Sequence, residues 1–290
     1  MTGEPRAASP DGLPPLGEVI RSLGLSARKS LGQNFILDLN LTRRIARSAG
    51  PFEGRTVVEI GPGPGGLTRA LFLEGAEHII AVERDERCRP ALEAIAARYP
   101  GRLDIRYADA LDTDWGSLVA GAGKAVIVAN LPYNVATLLL VGWLESTPWP
   151  PWYTRMVLMF QQEVADRIVA APNTKAYGRL AVIAQWRTGP RQLFTLKPEA
   201  FTPPPSVASA LVEFTPIERP APECDVKMLG QVTGAAFGQR RKRLRQSLKS
   251  LGREPEAVLA AAGIEPTLRG EALSVRDFAR LAYVLERLAK

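Results

Sequence analysis

The chain has 290 residues, 46% of them apolar or aromatic, and a formal net charge of +7. That length fits about two domains, and the composition is that of a globular chain with ample core material. The longest apolar run, residues 135–144, falls well short of the roughly 20 residues that span a bilayer, and the Pro-rich start carries Glu4 and Asp11 where a secretory leader would be apolar. Two cysteines, Cys88 and Cys224, and a single histidine, His78, match no disulfide, redox or metal-ligand spacing. The expectation is a cytoplasmic, monomeric protein with no metal and no membrane anchor.

The charge is local. Between Phe237 and Arg253 stand Arg240, Arg241, Lys242, Arg243, Arg245, Lys249 and Arg253, without one acid. These cations account for the whole net charge, so the remainder of the chain is balanced. A cluster of this kind favours a polyanion partner.

In chain order, residues 1–15 are rich in Pro, Gly and small side chains and are expected to be disordered. Residues 16–23 can form a short helix, and residues 26–35 read as a basic loop containing Arg28 and Lys29. Asp38 is placed to cap a helix running to Ala49. From residue 55 a strand, turn and helix pattern repeats, with strands at 56–60, 78–82, 103–108, 125–129, 156–160, 192–196 and 208–214. Helices follow most of these, one of them capped by Asp85 and running to about residue 98. Alternation of this kind makes an α/β domain with a mostly parallel sheet covered on both faces. This domain is expected over residues 16–215. A Pro-rich linker follows at 216–222, then a small all-helical domain at 223–290 with helices at 226–237, 241–251, 255–262 and 275–288. Over residues 237–251, Phe237, Leu244, Leu248 and Leu251 would share one helical face and leave the cations outward.

The turn after the first strand, Gly61-Pro62-Gly63-Pro64-Gly65-Gly66, fits a nucleotide-binding glycine loop, and Glu83 ends the next strand at the spacing suited to ribose hydroxyls. A pyrophosphate would need backbone N–H donors, and Pro62 and Pro64 remove two of them. A cofactor without phosphates would not miss them. Asp109, ending the third strand, adds an acceptor for an adenine amine. These strand ends fit S-adenosylmethionine better than NAD. The fourth strand ends on Asn130-Leu131-Pro132-Tyr133: an amide, a fixed turn and an aromatic face, suited to a planar ring carrying an amino group.

Taken with Leu31-Gly32-Gln33-Asn34-Phe35, Glu59-Ile60-Gly61-Pro62-Gly63, Phe201-Thr202-Pro203-Pro204-Pro205-Ser206-Val207, Ala236 through Lys242 and Leu273 through Phe278, these motifs make the chain resemble the ribosomal RNA adenine N6-dimethyltransferases. The likeness is greatest to the bacterial small-subunit (16S) branch and runs from Ser26 to about Ala289. It implies a class I, Rossmann-like methyltransferase sheet of seven strands, the last antiparallel. It also implies an S-adenosylmethionine site lined by Asn34, Ile36, Gly61, Gly63, Glu83, Asp109 and Asn130. The substrate implied is 16S rRNA within the 30S subunit or its precursor, dimethylated on two adjacent adenosines of the 3′-terminal hairpin. Ile36 stands where leucine is commoner, and the first dozen residues look like an extension outside the family pattern.

An exocyclic adenine amine is a poor nucleophile because its lone pair is delocalised. If the Asn130 side-chain oxygen and the Leu131 carbonyl both accept from it, the lone pair is turned out of the ring. Positioning then carries most of the catalysis, with Pro132 fixing the turn. The base must be unstacked to enter, and Tyr133 and Phe201 are the expected stacking faces, at about 1–3 kcal/mol per base. Arg28, Lys29, Arg240, Arg241, Lys242, Arg243 and Arg245 are expected to meet RNA phosphates. Competing readings are a 23S rRNA adenine methyltransferase, a non-enzymatic nucleic-acid-binding factor on the same fold, and an NAD-dependent enzyme.

Overall fold

A computed structural model describes residues 9–28, 32–121 and 123–288. Lys29 and Leu31, both named in the motifs, and residues 1–8 lie outside the described residues. The chain divides into two compact units, residues 1–139, 152–162 and 193–213 in the first, and residues 140–151, 163–192 and 214–290 in the second.

The first unit is organised by a seven-stranded sheet in the order β3-β2-β1-β4-β5-β7-β6. Its strands are β1 (Arg55–Ile60), β2 (His78–Glu83), β3 (Leu103–Tyr107), β4 (Lys124–Ala129), β5 (Tyr153–Gln161), β6 (Arg191–Leu196) and β7 (Ser209–Phe214). The pairs β1–β2, β1–β4, β2–β3 and β4–β5 are parallel. β1, β2 and β4 are buried along nearly their whole length, as their largely apolar sequences require when helices cover both faces. The chain leaves β1 toward β2 on one side and returns to β4 on the other. This reversal opens a crevice at the carboxyl ends of β1 and β4, where open α/β sheets bind ligands.

Helices follow as α1 (Leu16–Ser22), α2 (Leu39–Ala49), α3 (Gly66–Leu73), α4 (Arg89–Arg98), α5 (Trp115–Leu118) and α6 (Tyr133–Glu145). Asp38 caps α2 by accepting from the Asn40 amide at 2.8 Å. Asp85 likewise accepts from the Arg87 amide at 3.2 Å, but it opens a short 3-10 turn, Glu86–Cys88, and α4 begins only at Arg89. Pro90 sits in the first turn of α4, where its missing N–H leaves no helical bond unmade.

The expected disorder of residues 1–15 does not extend to residues 9–15. Asp11 is buried, and its two carboxylate oxygens accept from Arg69 Nε at 2.6 Å and Nη2 at 2.7 Å. Arg69 Nη1 also donates to the Pro14 carbonyl at 2.7 Å, and Arg98 Nε to the Asp11 carbonyl at 2.8 Å. A fork-shaped guanidinium on α3 thus ties this stretch down through a charge-assisted pair.

The second unit holds α7 (Gln162–Ile168), α8 (Arg179–Arg187), α9 (Val226–Gly238), α10 (Leu244–Ser247), α11 (Pro255–Ala261) and α12 (Val275–Leu288). α8, α9 and α12 pack on one another, and Phe237 fills their junction, edge-on to Tyr177 at 5.8 Å and tilted against Phe278 at 5.3 Å. The helix expected over 241–251 is not continuous. Residues 239–243 form a turn closed by the Lys242 amide on the Gln239 carbonyl at 2.8 Å. α10 then passes into a 3-10 turn, Leu248–Leu251. Four successive cations would crowd like charges within one helical turn. The first amides of α10 instead bond across the fold, Leu244 to the Leu268 carbonyl at 2.8 Å and Arg245 to that of Pro266 at 3.3 Å. Leu244 and Leu248 are nonetheless buried as their spacing implied.

Candidate active site

A pocket lies at the carboxyl ends of β1, β2, β3 and β4. Its walls include Asn34, Ile36, Gly61, Gly63, Glu83, Asp109, Asn130 and Tyr133. The structure therefore brings together every residue expected at the cofactor, although their positions span nearly a hundred residues.

The glycine loop takes its shape from positive φ. Gly63 has φ +57°, and a β-carbon there would stand 3.3 Å from the Phe35 ring. Gly65, at φ +87°, precedes α3, and a β-carbon would press to 2.1 Å from Ile95. Glycine meets both the positive φ and the close approach without strain. The Gly63 amide donates to Glu83 Oε2 at 2.8 Å and the Asp85 amide to Oε1 at 2.7 Å. Glu83 is thus aimed by two backbone donors, and burial pushes its carboxyl above the usual range.

Asp109 Oδ1 accepts from the Leu111 amide at 3.0 Å, and Oδ2 pairs with Arg84 Nη1 at 2.9 Å. At the end of β4, Asn130 Nδ2 donates to the Asn34 carbonyl at 3.2 Å. This orients the amide, spending its nitrogen on the protein and leaving Oδ1 for a ligand. Asn34 in turn donates from Nδ2 to the Gly32 carbonyl at 3.3 Å. Phe35 and Thr202 exchange backbone hydrogen bonds at 2.9 and 2.8 Å. Leu131 is buried, and the Pro132 carbonyl accepts from the Val135 and Ala136 amides, both at 3.1 Å, starting α6. Tyr133 is half-buried, its hydroxyl 2.5 Å from Ser209 Oγ, and burial raises its pKa.

Phe201, expected beside Tyr133 as a stacking face, does not line this pocket. It is 3% exposed and packs in the apolar core with Val157 and Leu211. Its aromatic area is desolvated there against the core.

Sequence reading missed Glu59 as a site residue. It interrupts the apolar run of β1, lines the pocket and is 1% exposed. Neither of its carboxylate oxygens, nor the buried Thr68 hydroxyl, has a hydrogen bond of normal geometry. Burial, reinforced by the neighbouring charge of Glu83, pushes its pKa up to about 8. The only signal was a carboxylate inside an otherwise apolar strand.

The basic cluster, in the second unit, separates into two roles. Arg240 is committed to the protein, with Nε on Glu271 at 2.9 Å and its other nitrogens on the carbonyls of Tyr177 at 3.1 Å and Thr174 at 3.0 Å. Three of its five N–H donors are thereby engaged within the protein, which leaves less of its guanidinium for phosphate than was expected. Arg241, Lys242, Arg243 and Arg245 are exposed, as is Arg28 in the first unit.

The sequence pattern of the ribosomal RNA adenine dimethylases matches residues 24–287. The chain belongs to that family. It is 63% identical over 273 residues, 94% of each chain, to the ribosomal RNA small subunit methyltransferase A of Bradyrhizobium sp. (strain ORS 278). It is 60% identical over 278 residues, 96% of each chain, to that of Xanthobacter autotrophicus. In fold, this dimethylase-family chain is similar to a dimethyladenosine transferase from Plasmodium falciparum, with a TM-score of 0.74 at 22% identity over 87% of this chain and 97% of that one. The 23S rRNA methyltransferase ErmE gives a TM-score of 0.65 at 24% identity over 89% and 100%. The fold is the α/β methyltransferase fold that the motifs implied. Among the described residues no helix is long and apolar enough to cross a membrane, and no group of three His, Cys, Asp or Glu side chains could hold a metal ion.

Proposed function

We propose that this chain transfers methyl groups from S-adenosylmethionine to the exocyclic N6 of adenosines in 16S rRNA, dimethylating two adjacent adenosines in the 3′-terminal hairpin of the small ribosomal subunit. It acts as a cytoplasmic monomer without a metal ion. The observation that carries this reading is Asn130, whose amide is locked by its nitrogen at the edge of a pocket built around Glu83 and Asp109.

The pocket suits that cofactor on its own chemistry. Buried, unbonded Glu59 calls for a cationic or hydrogen-bond-donating group, and the loop prolines are no handicap to a ligand without phosphates. Glu83 would accept from ribose hydroxyls, Asp109 from the adenine amine, and Asn34, Ile36, Gly61 and Gly63 would form the surrounding wall. When bound, S-adenosylmethionine supplies an electrophilic methyl on a sulfonium.

The protein's own part is to orient and to exclude water. Asn130 Oδ1 and the Leu131 carbonyl accept from the target amine, turning its lone pair out of conjugation, and Pro132 fixes the turn that aims them. Tyr133 supplies the face against which the flipped base stacks. No strong general base is required, since the amine proton can leave to solvent once the new N–C bond has formed. Arg28, Arg241, Lys242, Arg243 and Arg245 serve as phosphate contacts, which position RNA without reading sequence. The relatives' name, small subunit methyltransferase, favours 16S over 23S rRNA.

The test is to offer 30S particles, free 16S rRNA and free 23S rRNA with labelled cofactor and to map the methylated adenosines. Label on paired adenosines near the 16S 3′ end is expected. Label on 23S alone would overturn the substrate, and label on none, with cofactor unbound, the chemistry.

A further inference from the structure

Gln33, Asp85 and Arg87 lie beside the pocket and are joined to one another, although none takes part in the proposed methyl transfer. The Asp85 carboxylate is 4% exposed at its side chain. Its Oδ2 accepts from Arg87 Nη2 at 2.6 Å and from Gln33 Nε2 at 2.9 Å, and its Oδ1 from Arg87 Nε at 2.9 Å. Gln33 Oε1 accepts from the Arg28 amide at 3.0 Å, and Arg87 Nη1 donates to the Ser26 carbonyl at 3.3 Å. Three points of the basic loop are thereby fastened to the segment that leaves β2.

The residue after Gln33 is Asn34, whose carbonyl holds the Asn130 amide. On its other side Phe35 is bridged to Thr202. Asn34 is therefore suspended between two anchors, and only the Gln33 anchor is made of side chains. Freeing it would let the Asn34 carbonyl drift, and with it the hydrogen bond that orients Asn130.

We propose that Gln33, Asp85 and Arg87 form a latch that positions Asn130 for methyl transfer through the Asn34 backbone. The latch rests on the role assigned to Asn130. Its members are positioning residues: their polar atoms are spent on one another and on the loop, and the amine is met by Asn130 and the Leu131 carbonyl. The same cluster steadies Glu83, through the Asp85 amide on Oε1 at 2.7 Å.

The experiment compares Gln33→Leu, the milder Gln33→Asn, and the polarity swap Gln33→Glu with Asp85→Asn, which rebuilds the hydrogen bond with donor and acceptor exchanged. Each is made with and without Asn130→Ala. Single-turnover methyl transfer to 30S particles is measured at saturating cofactor, beside cofactor affinity and thermal unfolding. Displacement of a reacting group by about 1 Å can cost ~10²-fold in rate, so Gln33→Leu is expected to slow transfer roughly 10–100-fold, Gln33→Asn less, and the swap to recover most of the loss. In the Asn130→Ala background the Gln33→Leu effect should shrink to about threefold or less, because coupled residues are non-additive. Equal slowing in both backgrounds, or a lowered unfolding midpoint with unchanged saturated rate, would overturn the latch while leaving Asn130 its role. Near-normal transfer by Asn130→Ala alone would overturn both. Should Gln33→Leu fail to fold, Gln33→Asn and the swap decide the same question.

Discussion

Asn130 Nδ2 reaches the Asn34 carbonyl at 3.2 Å across 96 positions of sequence, so the loop before α2 and the end of β4 jointly set the direction of one amide. Asn130→Ala removes the acceptor for the amine and should lower turnover by about 10²-fold while cofactor affinity changes little. Asn130→Asp keeps an acceptor but sets a carboxylate against the Asn34 carbonyl, and should be comparably slow. Isothermal titration with cofactor and single-turnover transfer check both, and a fast Asn130→Asp enzyme would contradict the orienting role.

Glu59 makes a prediction about pH. Burial holds its pKa at about 8, above the ordinary carboxylate value of 4.5. A raised carboxylate favours the folded state below the ordinary value and loses that advantage progressively as pH climbs toward 8. Without cofactor, stability should therefore fall over this range, by an amount on the order of 3 kcal/mol near pH 7.5. Glu59→Gln should flatten the fall, as read by urea unfolding at several pH values. A cationic ligand would stabilise the ionised form. Cofactor binding near pH 7 should then release protons, seen as a dependence of the binding enthalpy on the ionisation enthalpy of the buffer.

Asp11 and Arg69 form a buried pair. Asp11→Ala leaves a buried guanidinium without its partner, a change that costs about 3–5 kcal/mol. Replacing both residues by apolar ones of similar volume should recover most of it. Burial opposes ionisation of Asp11, yet the Arg69 hydrogen bonds and charge hold its carboxyl below the usual value. Its contribution is accordingly present above the ordinary carboxylate value and lost as pH falls through the depressed one. Chemical unfolding at pH 7 and pH 3 distinguishes the single from the double variant.

The exposed cations predict a salt effect. Reversing Arg241, Arg243 and Arg245 to Glu should weaken RNA binding and flatten its dependence on salt, by roughly one unit of slope for each phosphate no longer neutralised. Thermal stability should barely move. Arg240→Glu should do the opposite, breaking the Glu271 pair and releasing the carbonyls of Thr174 and Tyr177. Filter binding across a salt series, with unfolding curves beside it, separates the two.

Much of the fold was legible because it is written locally. The apolar runs of β1, β2 and β4, the Asp38 cap and the glycine loop each declare themselves within a few residues. Glu83, Asp109 and Asn130 were legible as site residues because strand ends in this fold converge on one crevice. The turn at 239–243, the core position of Phe201, the Asp11 anchor and the commitment of Arg240 were not. Each depends on a partner distant in sequence: Pro266 and Leu268, the core around Val157, Arg69, and Glu271. Periodicity carries no record of such partners, and a run of four cations looks the same whether its first member faces solvent or is riveted to Glu271 and two carbonyls.

The two-way backbone bridge between Phe35 and Thr202 has a thermodynamic side. It makes the loop carrying Asn34 continuous with the Pro-rich segment that follows Phe201, so ordering either one orders the other. Whatever binds first then prepares the ground for the second, and reciprocity requires equal coupling in both directions. A ligand that orders the Pro-rich segment should tighten cofactor binding by the same factor as cofactor tightens that ligand. After one methyl group is delivered, exchange of spent for fresh cofactor on a still-engaged base would be governed by that shared factor.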